Sequence, residues 1–206
     1  MKKVIFLDAG HSITDPGTIT EFGHETDYNR AIRDALISEL VRNGFEVKTV
    51  PDDLDLKGSI NWVNLSSSNI DDGLALAIHC NCCGRQGAES YYYGNNQTSK
   101  DIAQKLIDEY CKETGLINIG PRSDTTGRFG ELGWIRQTLP WATLIECGFL
   151  DNQQDVEILK DCKRVARGIA KGICKIFGIN YIEETNPPAV DREKIKKQII
   201  ELLNQL

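Results

Sequence analysis

Three short apolar runs, each ending in an ionisable residue, constrain this chain more than any other feature. Val4-Ile5-Phe6-Leu7 leads into Asp8-Ala9-Gly10-His11, Leu74-Ala75-Leu76-Ala77-Ile78 leads into His79, and Ala142-Thr143-Leu144-Ile145 leads into Glu146. Apolar runs of this length predict strands buried on both faces, as in a parallel sheet covered by helices. Open sheets of that kind bind their ligands at the C-terminal ends of the strands. The polar residues that end the runs are therefore expected to meet at one edge.

Between the runs the periodicity turns helical. Tyr28, Ile32, Ala35, Leu36 and Leu40 share one face of a helix expected over 25–43, with Gly44 placed to stop it. A strand is expected at 45–50 and a polar helix at 59–70, with Ile60, Trp62 and Val63 as its buried candidates. A further strand at 88–93 and a helix at 101–114 closed by Gly115 follow. Residues 116–133, rich in Gly, Asn, Ser and Thr, predict a long loop, a kind usually functional or mobile. Strands are expected at 133–138 and 141–147, and the last core helix at 161–177. This alternation predicts an α/β fold: a single domain over residues 1–179 with a mostly parallel twisted sheet flanked by helices. At 206 residues, 40% hydrophobic and 26% charged, the chain can bury one sizeable core and has little room for a second.

Past Gly178 the chain turns polar, and Pro187-Pro188 predict a linker over 180–190. Asp191 is placed to cap a short C-terminal helix over 191–206, where Ile195, Ile199, Leu202 and Leu206 recur at coiled-coil spacing. Too short to hold alone in water, that helix must dock on its own domain, a second copy or another partner. The Pro-Pro linker favours self-association through 191–206.

A formal net charge of −6 and the lack of a basic stripe argue against a nucleic-acid partner. The same charge argues against simple electrostatic attraction to a polyanion, so recognition must rest on shape and hydrogen bonds in a groove. No apolar stretch is long enough to span a membrane. Met1-Lys2-Lys3 followed by Val4 to Leu7 imitates a signal peptide only briefly, because Asp8, Gly10 and His11 interrupt it. The segment reads as the first strand, and the chain as one made in the cytoplasm without a signal peptide. Seven cysteines, an odd number, read as reduced thiols serving as small hydrophobes, the cluster Cys80-Asn81-Cys82-Cys83 included.

Taken singly, a His at a strand end is more often a hydrogen-bonded structural residue, and a Glu that opens a helix, as Glu25 does, serves the helix dipole. Glu146 differs, because a carboxylate ending a buried run needs a proton, a cation or a metal. Two imidazoles and a carboxylate from separate segments make a catalytic zinc centre with one position left for water or substrate. The remaining glutamate then serves in proton transfer. His24, beside Glu25, competes for a ligand role but is expected to stay exposed.

Five blocks carry a family resemblance: Phe6 to His11, Glu25 to Asn29, Ala77 to Asn81, Gly87 to Tyr92 and Leu144 to Asn152. In order and spacing the chain resembles, from about Lys2 to about Gly178, the zinc-dependent N-acetylmuramoyl-L-alanine amidases of the amidase-3 type, the catalytic domains of phage endolysins and autolysins. The resemblance implies one zinc per chain held by His11, Glu25 and His79, with Glu146 as the catalytic carboxylate. It implies peptidoglycan as substrate, cut between the lactyl carboxyl of N-acetylmuramic acid and the amino group of L-alanine. It also implies action on the cell wall after release by a holin or by cell lysis.

Asn81, Glu89 and Arg122 are candidate substrate contacts, and Asp8 a candidate support for a ligand. The chain departs from the family where Ser12-Ile13 replaces the usual two glycines after the first His, and where Val50-Pro51-Asp52-Asp53 replaces an Arg after a strand. Two other readings stand beside this one. A zinc carboxypeptidase or endopeptidase would use the same metal and Glu, with Arg122 or Arg136 fixing a peptide terminus. A non-catalytic wall-binding module would have no reason to keep a costly buried metal and carboxylate.

Overall fold

Val4, Ile5, Phe6 and Leu7 are almost wholly buried because their strand runs between two others with helices over both faces. The computed structural model describes residues 3–68, 73–126 and 130–184. The expected end of the linker and the helix over 191–206, with its self-association, lie outside these residues. In chain order the elements are β1 (Val4–Ala9), β2 (Ile19–Thr20), β3 (Gly23–His24), α1 (Glu25–Arg42), β4 (Glu46–Thr49), α2 (Leu56–Ser66) and β5 (Gly73–Asn81). They continue with β6 (Ala88–Tyr92), α3 (Gln97–Thr114), β7 (Asn118–Ser123), α4 (Gly133–Gln137), β8 (Trp141–Phe149), α5 (Gln153–Leu159) and α6 (Cys162–Ile176).

One six-stranded sheet runs in the order β4-β1-β5-β8-β6-β7, parallel throughout except where β6 lies antiparallel to β8. A two-stranded ribbon of β2 and β3 stands apart from it. Strand alternation sends Ile5, Leu7, Leu74, Leu76, Ile78 and Ile145 to one face, where α1, α3, α5 and α6 cover them. It sends Val4, Phe6, Ala75, Ala77 and Leu144 to the other, covered only by the shorter α2 and α4. Ile32, Leu36 and Leu40 of α1 are fully buried, each contributing roughly 1.5–3 kcal/mol. Helix α6 lies so close to α3 that a Cβ at Gly172 would stand 2.9 Å from the Leu106 backbone.

Caps set the helix limits. Asp55 accepts from Gly58 N and starts α2 three residues earlier than expected, Asn96 accepts from Ser99 N to open α3, and Gly115 closes α3 in the left-handed conformation (φ 78°). Two expectations are corrected. Where a strand is expected over 133–138, Gly133–Gln137 form a short helix, α4, and Thr138 follows it in extended conformation. Trp134 and Ile135, adjacent in sequence, are both buried on the same side of the sheet, which a strand's alternation would prevent. Within the expected loop 116–133, residues Asn118–Ser123 form an edge strand, where Pro121 is tolerated because one side needs no ladder partner. Residues 180–184 have no regular secondary structure and lie against α1, with Tyr181 OH bonded to Glu39 and Ile182 N donating to Asn43 Oδ1 (2.6 Å).

Candidate active site

The same alternation that builds the core delivers the site. Asp8, His79, Glu89 and Glu146 each stand two residues from a side chain buried on the α2/α4 face: Phe6, Ala77, Tyr91 and Leu144. They continue that face to the end of the sheet where the two short helices no longer cover it. His79 pairs with Glu146 across β5 and β8, and Glu146 pairs with Glu89 across β8 and β6. The antiparallel β6 is what brings Glu89, near its strand's start, beside the end of β8.

His11 and Glu25 reach the same place from outside the sheet. His11 follows β1 in the left-handed region (φ 71°), and Glu25 is the first residue of α1. His11 Nε2 lies 3.1 Å from Glu25 Oε2, and His79 Nδ1 lies 3.0 Å from Glu25 Oε1. One donor atom from each of His11, Glu25 and His79 lies within 4.8 Å of the other two. Ligands about 2.0–2.1 Å from a tetrahedral zinc stand roughly 3.3 Å apart, so two imidazoles and a carboxylate at these separations fit such an ion. Two glycines make room for the cluster. A Cβ on Gly10 would fall 2.2 Å from His79 Cε1 and Nε2, and one on Gly17 would fall 2.7 Å from both His11 Nε2 and Glu25 Oε2.

The electrostatics match a cation site. Burial opposes ionisation of Glu25, but hydrogen bonds with His11 and His79 overcome it and hold the carboxyl far below the ordinary range. The hydrogen bond with Glu25 pushes His11 up to about 9 against the effect of burial, with help from Asp15. Burial pushes the Glu146 carboxyl up to about 8, although the charge of His79 opposes it. Glu146 Oε2 is buried with no hydrogen-bond partner among the described residues. A carboxyl in that condition is suited to exchanging a proton near neutral pH.

A family model for N-acetylmuramoyl-L-alanine amidase of the amidase-3 type matches residues 5–175. The chain belongs to this amidase family. It is similar to the germination-specific N-acetylmuramoyl-L-alanine amidase of Bacillus subtilis, 25% identical over 205 residues, which cover 90% of this chain and 83% of that one. It is 27% identical over 197 residues to a 38.4 kDa protein of Clostridium perfringens, 92% of this chain but only 55% of that protein. The chain thus spans a little over half the length of that curated relative. Among solved structures, the catalytic domain of the amidase CwlV from Bacillus (Paenibacillus) polymyxa superposes with a TM-score of 0.73 at 31% identity, covering 87% of this chain and all of that domain.

Several residues that hold this amidase-family site together escape a reading of the sequence. Asp15 Oδ2 accepts from His11 Nδ1 at 2.8 Å and so fixes the ring with Nε2 toward Glu25. Asn29 donates to Gly10 O (3.1 Å) and to Glu25 Oε1 (3.4 Å), and the amides of Thr18 and Cys80 donate to Glu25 at 3.0 and 3.2 Å. The spacing Glu25-Asn29, one turn of helix, was a signal for Asn29; nothing local marks the amides. Asp52, in the segment that departs from the family, pairs with Arg33 and Arg30 of α1 and accepts through its carbonyl from Ile13 N, which ties the loop after His11 to the helix.

The remaining candidates divide. His24 is exposed and turned toward Asp27 (4.0 Å). Asp8 lines a cavity together with Ser59 and His79, and burial pushes its carboxyl above the ordinary range. Asn81, Glu89 and Arg122 come together: Glu89 Oε1 accepts from Tyr91 OH (2.8 Å) and Asn81 Nδ2 (3.1 Å), and Arg122 Nη1 is 3.5 Å from Oε2. Arg136, entertained as an anchor for a peptide terminus, is instead held by Asp124 (2.5 Å) and Glu131 (3.2 Å) and stacks on Tyr93. It borders a separate cavity with Tyr93 and Trp141. All seven cysteines are free, four of them buried.

Two cavities meet at the cluster of His11, Glu25 and His79, sharing His11, Asp15, His79, Leu132 and Leu144. One, of about 450 Å³, extends toward α2 and α4 past Asp8, Asp55 and Leu56. The other, of about 670 Å³, extends over Glu146 to Glu89, Arg85 and Arg122. No helix among the described residues is long and apolar enough to cross a membrane.

Proposed function

We propose that this protein is a zinc-dependent N-acetylmuramoyl-L-alanine amidase that hydrolyses the amide between the lactyl carboxyl of N-acetylmuramic acid and L-alanine in peptidoglycan. The observation that carries the reading is the convergence of His11, Glu25 and His79 on one point with Glu146 beside them, in a chain of the amidase family. His11, Glu25 and His79 hold one zinc. When bound, zinc polarises the scissile carbonyl as a Lewis acid and lowers the pKa of its water toward neutrality.

The chain's own residues do the rest. Glu146 takes a proton from the attacking water and passes it to the departing amine nitrogen, which leaves poorly unless protonated. Asp15 keeps His11 in one tautomer, and Asn29 with the Thr18 and Cys80 amides keeps the Glu25 carboxylate in place. Asn81 and Arg122 face the substrate around Glu89. The enzyme acts on the cell wall after leaving the cell that made it.

Metal analysis combined with a wall-lysis assay tests this reading. Zinc at one per chain, lysis of purified walls abolished by a chelator and restored by zinc, is the expected result. Wild-type lysis in the chelated protein, or zinc retained at one per chain by His79→Ala, contradicts it.

A further inference from the structure

The groove is asymmetric about the ligand cluster, and the asymmetry orients the substrate. Resting on the amidase reading, we propose that the stem peptide lies in the arm bearing Arg85 and Arg122, its carboxylates facing those guanidinium groups, while the glycan lies in the arm toward α2 and α4. Two independent observations converge on this polarity.

The first is the position of the proton donor. A group that protonates a leaving nitrogen must come within hydrogen-bond reach of it. Glu146 borders the arm over β6 and β8 and not the arm toward α2. In muramoyl-alanine hydrolysis the bond that breaks joins the lactyl carbonyl carbon to the L-alanine nitrogen. Water supplies the hydroxyl to the carbonyl carbon and a proton to the nitrogen, so the departing amine is the peptide. The peptide must therefore leave on the side of Glu146.

The second is charge. Arg85 and Arg122 share one carboxylate, Glu89, at 3.8 and 3.5 Å. That carboxylate already accepts from Tyr91 and Asn81, and Arg122 Nε has no hydrogen-bond partner among the described residues. Arg85 also stacks on Phe149, with its guanidinium 5.7 Å from the ring centre, which limits where the cation can go. Two guanidinium groups thus face this arm around one carboxylate that is already shared, Arg85 half-exposed and Arg122 about one-third exposed, and no other arginine or lysine lines either arm among the described residues.

The opposite arm adds Asp8 and Asp55 to the residues the two arms share, and it has no arginine or lysine among the described residues. A peptide carboxylate placed there would meet like charges. A neutral sugar would not: its hydroxyls donate to carboxylates, and its apolar face fits against Leu54, Leu56 and Leu132.

The test uses the zinc-loaded full chain and two soluble disaccharide-tetrapeptides, one with free peptide carboxylates and one with those carboxylates amidated. The quantity read is the ratio of kcat/KM, acid over amide. The expected ratio is about tenfold or more for the wild type, since the recognition is a charge-assisted contact. It should fall toward one in the Arg85→Gln/Arg122→Gln double variant and be largely kept by Arg122→Lys, which a merely structural role for Arg122 does not predict. Unchanged zinc content and thermal unfolding certify that each variant folds. A wild-type ratio near one, or a ratio unchanged in the double variant, overturns the proposed polarity while leaving the amidase reading standing. No L-alanyl amine released from either substrate overturns both.

Discussion

His79 and Glu146 are register partners on neighbouring parallel strands, and both fall where the sheet emerges from beneath α2 and α4. Adjacent strands stand about 4.7–4.9 Å apart, so the pairing fixes the His79 imidazole beside the Glu146 carboxyl without help from any loop. Glu89 flanks Glu146 from the other side in the same row. A rigid sheet edge of this kind sets catalytic distances more reproducibly than loops do.

Glu146→Gln keeps the shape of the side chain and removes its capacity to carry a proton between water and amine. Zinc content and thermal unfolding should stay near wild type while kcat falls by about 10²-fold or more. Activity near wild type in the zinc-loaded variant would assign the proton transfer to another residue.

Gly10→Ala should disable metal binding from a position that contacts no metal. The new Cβ would fall 2.2 Å from the His79 ring, and the backbone cannot retreat, because Gly10 N bonds to Ile78 O (2.9 Å) and Gly10 O to Asn29 (3.1 Å). The ring must move instead. Zinc affinity measured by competition with a chelator should fall by at least the roughly 10–100-fold typical of lost ligand support.

Asp15→Asn tests the support of His11 separately. Its side chain is 60% exposed, so removing the charge should leave stability within about 0.5 kcal/mol. Zinc affinity should fall roughly 10–100-fold because the imidazole loses the carboxylate that fixes its tautomer. Unchanged affinity would mean that Asp15 does not orient the ligand.

The unfolding of chelated protein should depend on pH through Glu146. Burial raises this carboxyl from an ordinary 4.5 to about 8 in the folded state, so between those values the folded chain holds a proton that the unfolded chain has released. The group's contribution to stability is full below pH 4.5 and is lost as pH rises toward 8. His11, held near 9 by the Glu25 carboxylate, works in the same sense above pH 6.5 but is common to wild type and variant. Urea midpoints of metal-free protein should thus fall between pH 5 and 8, and fall less in Glu146→Gln. Equal slopes for the two proteins would refute the buried, protonated carboxyl.

What the sequence made legible follows from burial. β1, β5 and β8 declare themselves because strands covered on both faces need unbroken apolar runs, and the residues that break those runs, His79 and Glu146, lie in the site. His11 follows the first of those runs, and Glu25 alone is found through its motif rather than through a strand. Where only one ladder or five residues are at stake, pattern fails. β7 contains Gly120 and Pro121 and is held as a strand only by pairing with β6, and α4 is too short for a helical period to differ from a strand's. Helix α5 escapes for the same reason, its seven residues being fixed by the Asn152 cap. Asp15 and the amides on Glu25 stay hidden because their roles come from tertiary placement that no local spacing encodes, whereas Asn29 stands one helical turn from Glu25.

The bond cut in purified peptidoglycan decides whether this protein is a muramoyl-alanine amidase. Zinc-loaded protein is incubated with walls, new amino termini are labelled, and the soluble products are resolved by mass spectrometry. New L-alanine amino termini should appear in one-to-one proportion with released stem peptides, with every peptide bond and every glycosidic bond intact. New amino termini on residues within the stem peptide, new reducing sugar ends, or no release by protein carrying one zinc per chain would contradict the amidase reading.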